Sequence, residues 1–243
     1  MKLSVCIPMY NESAVIADTA KTLSDYMASH FEEYEILFSD DGSRDGSAEI
    51  VKSLQLPNVR VLEQPINQGK GAAVRVAMLE ACGDYRIFTD ADLAYGTDVI
   101  ERIANTFTEN PDSDLVIGSR NLEKDGYEGY TFSRKLASKL YIRALCIAGG
   151  FRMSDSQCGC KAFSAKAAET IFSRCKVNGF SFDFEALLWA ESLNMKITEI
   201  PVCVLNHRQS KIRLLRDSIR MLSDVLRIKR EVRKAAKTEE KKK

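Results

Sequence analysis

The 243 residues contain no run approaching the ~18 consecutive apolar residues of a membrane-spanning helix, so no anchor of that kind is expected. The opening MKLSVCIPMYNES has a short apolar run broken by Pro8. It lacks the longer apolar region and small-residue cleavage site of a signal peptide, so the chain reads as cytoplasmic. No Gly-x-Gly-x-x-Gly follows the first apolar run, which counts against a dinucleotide enzyme. The stretch NQGKG, Asn67 to Gly71, suggests a phosphate loop but lacks four residues between its glycines and a Ser or Thr after its Lys. Its glycine pair can still bring backbone N–H groups close to a phosphate at a helix start. The seven cysteines are scattered, and Cys158 and Cys160 have the wrong spacing for a Cys-x-x-Cys redox or zinc motif. They are expected to be mostly reduced core thiols. His30 and His207 are left unassigned, and no internal repeat is found.

Apolar residues make up 45% and charged residues 28%, the balance of a globular enzyme long enough to bury a full core. The net charge of +1 hides an asymmetry. Residues 206–243 hold 14 Lys or Arg against 5 Asp or Glu, so the body is acidic and the tail basic. Strand-length apolar runs (LSVCIP, YEILFSDD, VRVLEQ, YRIFTDAD, DLVIGSR) alternate with amphipathic stretches, which predicts an α/β fold around a largely parallel sheet. A polar cluster follows each strand: MYNES, SDDGSRDGS, NQGKG, TDAD and GSRN. Open α/β sheets bind ligands beyond the carboxyl ends of their strands, so these clusters are predicted to line one site. Further on, SRKLASKLYIRALCIAGG and FSFDFEALLWAESL read as helices and KITEIPVCVL as a closing strand. Trp189, beside Leu187 and Leu188, is expected in the core.

Asp90 and Asp92 stand one residue apart where a strand ends, so both can face one side. Hard divalent cations favour such oxygen ligands, and magnesium is typically held by one or two carboxylates plus substrate phosphates. The bland alternative is a helix N-cap. Asp40 and Asp41 repeat the theme before Gly42, where a turn and a ligand role are compatible. Asp183 and Glu185 fit either a helix-start pair or a catalytic role.

Together PMYNE, SDDGSRDGS, NQGKGAA, TDADLA, GSR, DSQCGCKAF and HRQSK, in this order from Leu3 to about Leu226, resemble the family 2 glycosyltransferases of GT-A fold. More narrowly they resemble the dolichyl- or polyprenyl-phosphate sugar synthases, and the glucosyl enzymes more than the mannosyl ones. The mannosyl enzymes carry Gln or His where this chain has Ala94, so their third side-chain metal ligand is absent here.

The resemblance implies a GT-A, Rossmann-like, mostly parallel mixed sheet flanked by helices over residues 1–210. It further implies that Pro8, Tyr10 and Glu12 flank the base and ribose of a nucleotide sugar, that Asp41 reads base or ribose, and that Lys70 lies near the nucleotide. Asp90 and Asp92 would hold Mg²⁺ or Mn²⁺ against the diphosphate. Arg120, Arg134 and Ser138 would face an acceptor phosphate, Gln157 and Lys161 would lie in the segment closing over the sugar, and Arg208 and Lys211 would clamp phosphates. The reaction implied is inverting transfer of a hexose, glucose from UDP-glucose, to polyprenyl or dolichyl phosphate. The alternatives are a GDP-mannose enzyme and a transferase acting on a cell-wall or polysaccharide sugar, with Asp183 or Glu185 as base.

Nucleic-acid binding is not expected, because the acidic body lacks interleaved aromatic and basic residues. The partner expected instead is a membrane surface, met at the cytoplasmic face. From Lys211 to Val232, Ile212, Leu215, Ile219, Leu222 and Leu226 recur at helical spacing among Arg and Lys. Residues 211–235 therefore read as a basic amphipathic helix of interfacial type, and 236–243 as a disordered tip. The alternative is a helix docked on its own core. The SRKLASKLYIRALCIAGG helix is a second candidate for the membrane contact.

Overall fold

The computed structural model describes residues 1–127, 130, 132–205 and 214–240, with the side chains of 132–134, 214–222 and 240 outside the description. Seven strands form one sheet: β1 (Leu3–Met9), β2 (Tyr34–Asp40), β3 (Val59–Glu63), β4 (Tyr85–Phe88), β5 (Leu115–Ser119), β6 (Lys161–Ser164) and β7 (Ile197–Pro201). Their order is β3-β2-β1-β4-β6-β5-β7. β6 alone runs antiparallel, between β4 and β5, so the largely parallel expectation holds.

Both faces of the sheet are covered, which is why β1 and β2 are buried at every position. The period of two divides them. Leu3, Val5 and Ile7 join the core under α1 (Ile16–His30), α2 (Ser47–Ser53) and α4 (Asp98–Glu109). Cys6 and Leu37 point to the other core, under α3 (Lys70–Glu80), α5 (Phe132–Gly149), α6 (Ala165–Phe172) and α7 (Phe182–Ser192). α1 buries Ile16, Ala20, Leu23 and Met27, the three-four spacing of a one-faced helix. α7 is buried from Phe182 to Ala190, Trp189 included, so its two carboxylates, Asp183 and Glu185, are enclosed with it.

The last helix, α8 (Leu214–Glu240), lies on α5 and α7 over its described C-terminal half. Val225, Ile228 and Val232 are its buried residues there, while Leu226, expected in the apolar stripe, is 46% exposed. Over the described half the buried residues are therefore others than the Leu226 read in the sequence. Lys229 Nζ donates to the Ala148 carbonyl at 3.0 Å, and Arg174 pairs with Glu239 at 3.1 Å. Ala235 and Ala236 pack on the core as well, which carries the helix through to Glu240 where a disordered tip was expected from 236. Ile212 and Lys211 lie outside the described residues, as do the side chains of Leu215, Ile219 and Leu222. Among the described residues no helix is long and apolar enough to cross a membrane.

Candidate active site

The chain leaves β1 for β2 on one side, and β4 lies on the other, so a crevice opens above their carboxyl ends. Side chains from the second cluster build the first turn. Asn11, at φ +53°, donates its N–H to Ser43 Oγ, Glu12 donates to Ser47 Oγ, and Ser13 donates to Asp45 Oδ2, each at 2.9 Å. Asp45 also accepts from Ser47, and although what burial it has pushes the other way, these bonds hold its carboxyl down at about 2. The turn is fixed with Tyr10 39% exposed at the mouth and Glu12 half-buried behind it. Pro8 is buried lower in β1, in register with Ser39 of β2.

Asp41 is 2% exposed and spends its oxygens on the third cluster, accepting from Gln68 N at 2.8 Å and Gly69 N at 2.7 Å. It pins the loop that delivers Lys70. The backbone donors expected to meet a phosphate at the start of α3 are already taken, because the Asn178 carbonyl accepts from Gly71 N at 2.7 Å and from Ala72 N at 3.3 Å. The reason is packing: Gly71 has no side chain, and the Val177–Gly179 turn fills that space. What α3 offers the site is Lys70, whose ammonium pairs with Asp90 Oδ1. Burial opposes its charge, but Asp90 and, farther off, Asp183 and Asp92 hold it protonated above its usual range.

Residues 90–96 make a tight double turn in which Leu93 N donates to Asp90 O at 3.0 Å and Gly96 N to Leu93 O at 2.9 Å. Leu93 takes φ +48°, a conformation that costs a branched residue energy and is concentrated at functional sites. Thr19 Oγ1 holds the Ala91 carbonyl at 2.6 Å, and Asp92 Oδ1 accepts from Ala94 N at 3.2 Å. Asp90 and Asp92 therefore leave a rigid turn into the crevice. As a donor set, two hard carboxylates at a half-exposed mouth suit Mg²⁺ or Mn²⁺ completed by substrate phosphates and water. Among the described residues no group of three or more His, Cys, Asp or Glu forms a self-sufficient metal cage. The ion would have to arrive with, or meet, an anionic ligand.

On the β5–β6 side two cations expected to meet ligands have partners within the fold. Arg120 grips Asp155 with two bonds, Nε to Oδ2 at 2.7 Å and Nη2 to Oδ1 at 3.0 Å, and Asp155 is fully buried. Burial disfavours both charges, yet each holds the other ionised: Arg120 is raised and Asp155 lowered from the ordinary range. Arg120 also lies 5.5 Å from the Tyr127 ring centroid. Lys139 of α5, exposed, lies 5.6 Å from the same ring. Arg120 is thus committed within the fold before any acceptor phosphate arrives.

Lys161, expected over the sugar, is fully buried in β6, donating to Asp183 Oδ1 at 2.8 Å and to the Cys158 carbonyl at 2.6 Å. Strand alternation turned it into the core, and Asp183 went with it as its counter-charge. Burial nonetheless raises the Asp183 carboxyl, against the pull of Lys161. Glu185, also raised by burial, accepts from Lys176 N at 2.8 Å and Val177 N at 2.7 Å, bracing the turn that caps α3.

Gln157 is half-buried beside Asp155, its side chain donating to Ser156 O at 3.3 Å. Ser138 is half-buried on α5, whereas the side chain of Arg134 is outside the described residues. Arg208 and Lys211 also lie outside them. Leu205, the last described residue before Arg208, donates its N–H to the Ala94 carbonyl at 2.7 Å, two residues past Asp92.

Sequence reasoning missed Asp155, Tyr95 and Asn178. Asp155 was visible in DSQCGCKAF, but nothing in the sequence tied it to Arg120, 35 residues earlier. Asn178 acts through its backbone carbonyl, which leaves no mark in a side-chain pattern.

Residues 4–172 match the family model described as "Glycosyl transferase family 2". The chain is 32% identical to "Dolichyl-phosphate beta-glucosyltransferase" of Dictyostelium discoideum, with 93% of this chain and 73% of that protein covered. With "Dolichyl-phosphate beta-glucosyltransferase ALG5C" of Trichomonas vaginalis it shares 35% identity, over 81% of this chain and 61% of that protein. Its backbone also follows glucosyl-3-phosphoglycerate synthase from Mycobacterium tuberculosis, crystallised with Mn²⁺ and UDP-glucose. There the TM-score is 0.67 at 20% identity, covering 93% of this chain and 76% of that one.

Proposed function

The chain belongs to glycosyl transferase family 2, and from that membership we propose that it moves glucose from UDP-glucose to the phosphate of a dolichol or another polyprenol, with inversion. The observation that carries the donor half is the meeting of Asp90, Asp92 and Lys70 above β4, where a cation site and an ammonium face the place a diphosphate needs them. The glucosyl and lipid-phosphate identities rest on the relatives so named.

Asp90 and Asp92 would hold Mg²⁺ or Mn²⁺, which when bound neutralises the departing diphosphate as a Lewis acid. Lys70 adds a second positive charge and keeps Asp90 oriented. Tyr10 offers its half-open ring to the base, with Glu12 behind it. Asp41 keeps the Gln68–Gly69 backbone in place beneath them. A phosphate acceptor is already ionised at neutral pH, so no strong base is required. In agreement, the enclosed carboxylates Asp183 and Glu185 are both engaged by the fold. Ser138 and Lys139 on α5 are assigned to the acceptor phosphate, with Arg134 assigned to it and Arg208 and Lys211 to the donor phosphates on the resemblance alone.

The acceptor is a membrane lipid, and α5 has a face suited to its surface. Leu136, Leu140 and Ile147 are 49%, 60% and 71% exposed at helical spacing, with Lys135, Lys139 and Arg143 among them. An apolar ridge edged by cations fits a helix lying in an anionic interface. We therefore propose that the protein binds a membrane peripherally through α5, the cytoplasmic face resting on the sequence expectation alone.

The test offers UDP-glucose, GDP-mannose and other nucleotide sugars to the purified chain with a polyprenyl phosphate or a free sugar, with and without EDTA. Glucosyl polyprenyl phosphate formed only in the absence of EDTA is the expected product. Faster turnover of GDP-mannose, or transfer to the free sugar, would establish one of the alternative activities instead.

A further inference from the structure

The turn that carries Asp90 and Asp92 also carries Tyr95. We infer that Tyr95 is a positioning residue for Asp90, acting through the backbone of Gly159. The Tyr95 ring is 8% exposed and belongs to the core that also holds Ala91, Val99, Cys158 and Cys160. A buried phenol needs a polar partner for its oxygen. Here that oxygen accepts the Gly159 N–H at 3.1 Å. Gly159 in turn lies so close to Asp90 that a Cβ on it would overlap Oδ2, and the same Cβ would stand 3.5 Å from the Tyr95 ring.

The Asp90 carboxylate is therefore stopped on both sides. Lys70 holds Oδ1, and the bare Cα of Gly159 backs Oδ2. Gly159 keeps that place because Tyr95, five residues beyond Asp90 and returned by the Leu93 turn, fixes its N–H. With only two carboxylates from the chain, the cation site depends on their orientation more than a cage of many ligands would. Partners that orient metal ligands typically matter by about 10–100-fold in metal affinity.

The inference rests on Asp90 and Asp92 as the cation site, and the experiment separates the two. Free Mn²⁺ is followed by electron paramagnetic resonance while the full chain is titrated in with saturating UDP. The wild type is compared with Tyr95→Phe, Gly159→Ala, Asp90→Asn and the Tyr95→Phe/Asp90→Asn double variant. Tyr95→Phe keeps the ring and removes only the acceptor oxygen. It is expected to weaken Mn²⁺ uptake on the order of tenfold, and Gly159→Ala to weaken it by displacing the carboxylate. In the Asp90→Asn background the Tyr95 substitution should add nothing. Unchanged affinity in folded Tyr95→Phe overturns the role, as does unchanged affinity in Gly159→Ala or an undiminished Tyr95 effect without the Asp90 charge. A wild type that binds no Mn²⁺ with UDP present overturns the cation site and the positioning role with it.

Discussion

The two halves of the sheet use carboxylates differently. Above β1, β2 and β3 the aspartates spend their oxygens on nearby loop N–H groups: Asp40 on Ser43, Asp45 on Ser13 and Ser47, Asp41 on Gln68 and Gly69. Around β5, β6 and α7 Asp155 and Asp183 face buried cations as well, Arg120 and Lys161, while Glu185 accepts backbone N–H groups as the first set does. The first arrangement shapes a turn and leaves the site's own charges, Asp90, Asp92 and Lys70, at a half-exposed mouth. The second consumes the charges it contains. Lys70 and Asp90 are paired too, but at 24% and 32% side-chain exposure they stay within reach of a ligand, whereas Lys161 and Asp183, at 0% and 12%, do not.

The largest effect should come from the mouth. Asp92→Asn keeps the shape and removes a charge, so turnover should fall by roughly 10²–10⁴, since a metal's stabilisation of developing charge is worth several kcal/mol. The melting temperature should hardly move. Assays and thermal melts of the same preparation check both halves of that statement, and near-normal turnover would remove Asp92 from the metal site.

The enclosed half should respond in stability. Lys161→Met leaves Asp183 inside without its counter-charge, and breaking a buried pair in this way costs about 3–5 kcal/mol. Urea unfolding should show that loss. A variant as stable as wild type with poor sugar binding would return Lys161 to the donor site.

Acid should separate the halves more gently. Asp155 titrates below its unfolded value because Arg120 outweighs the burial penalty. Its contribution to stability is therefore complete above the unfolded pKa, roughly 3.9, and is lost as the pH falls through the lower folded value. Asp155→Asn should lower stability at neutral pH and flatten the dependence between pH 5 and the acid limit, read by denaturation at a series of pH values. An equal slope in both proteins would place that linkage on other groups.

Much of this was legible in the sequence where signals are local. Strand runs, the clusters after them and the Asp90–Asp92 pair all depend on neighbours within a few residues, and the fold put them where their spacing implied. Arg120 and Lys161 were read as ligand-facing because their partners, Asp155 and Asp183, lie 35 and 22 residues away with no periodicity to connect them. The start of α3 was misread for a related reason: the group occupying it is a backbone carbonyl, Asn178, which no residue type announces.

The smallest predicted effect concerns α8, where the stripe read in the sequence ran through Ile212, Leu215, Ile219, Leu222 and Leu226. Leu226 is 46% exposed, so Leu226→Ser should change stability by no more than ~0.5 kcal/mol, as for most surface substitutions. Ile228, fully buried against the core with Val225 and Val232, should cost about 2–5 kcal/mol as Ile228→Ala through lost burial and the cavity left behind. The pair also bears on the membrane contact. If α5 carries it, Leu140→Ser should weaken sedimentation with anionic vesicles while Leu226→Ser leaves it nearly unchanged, both proteins remaining folded. A Leu226 variant that loses vesicle binding as fully as the Leu140 variant would instead make the outer side of α8 part of the same surface, and the contact would then span both helices.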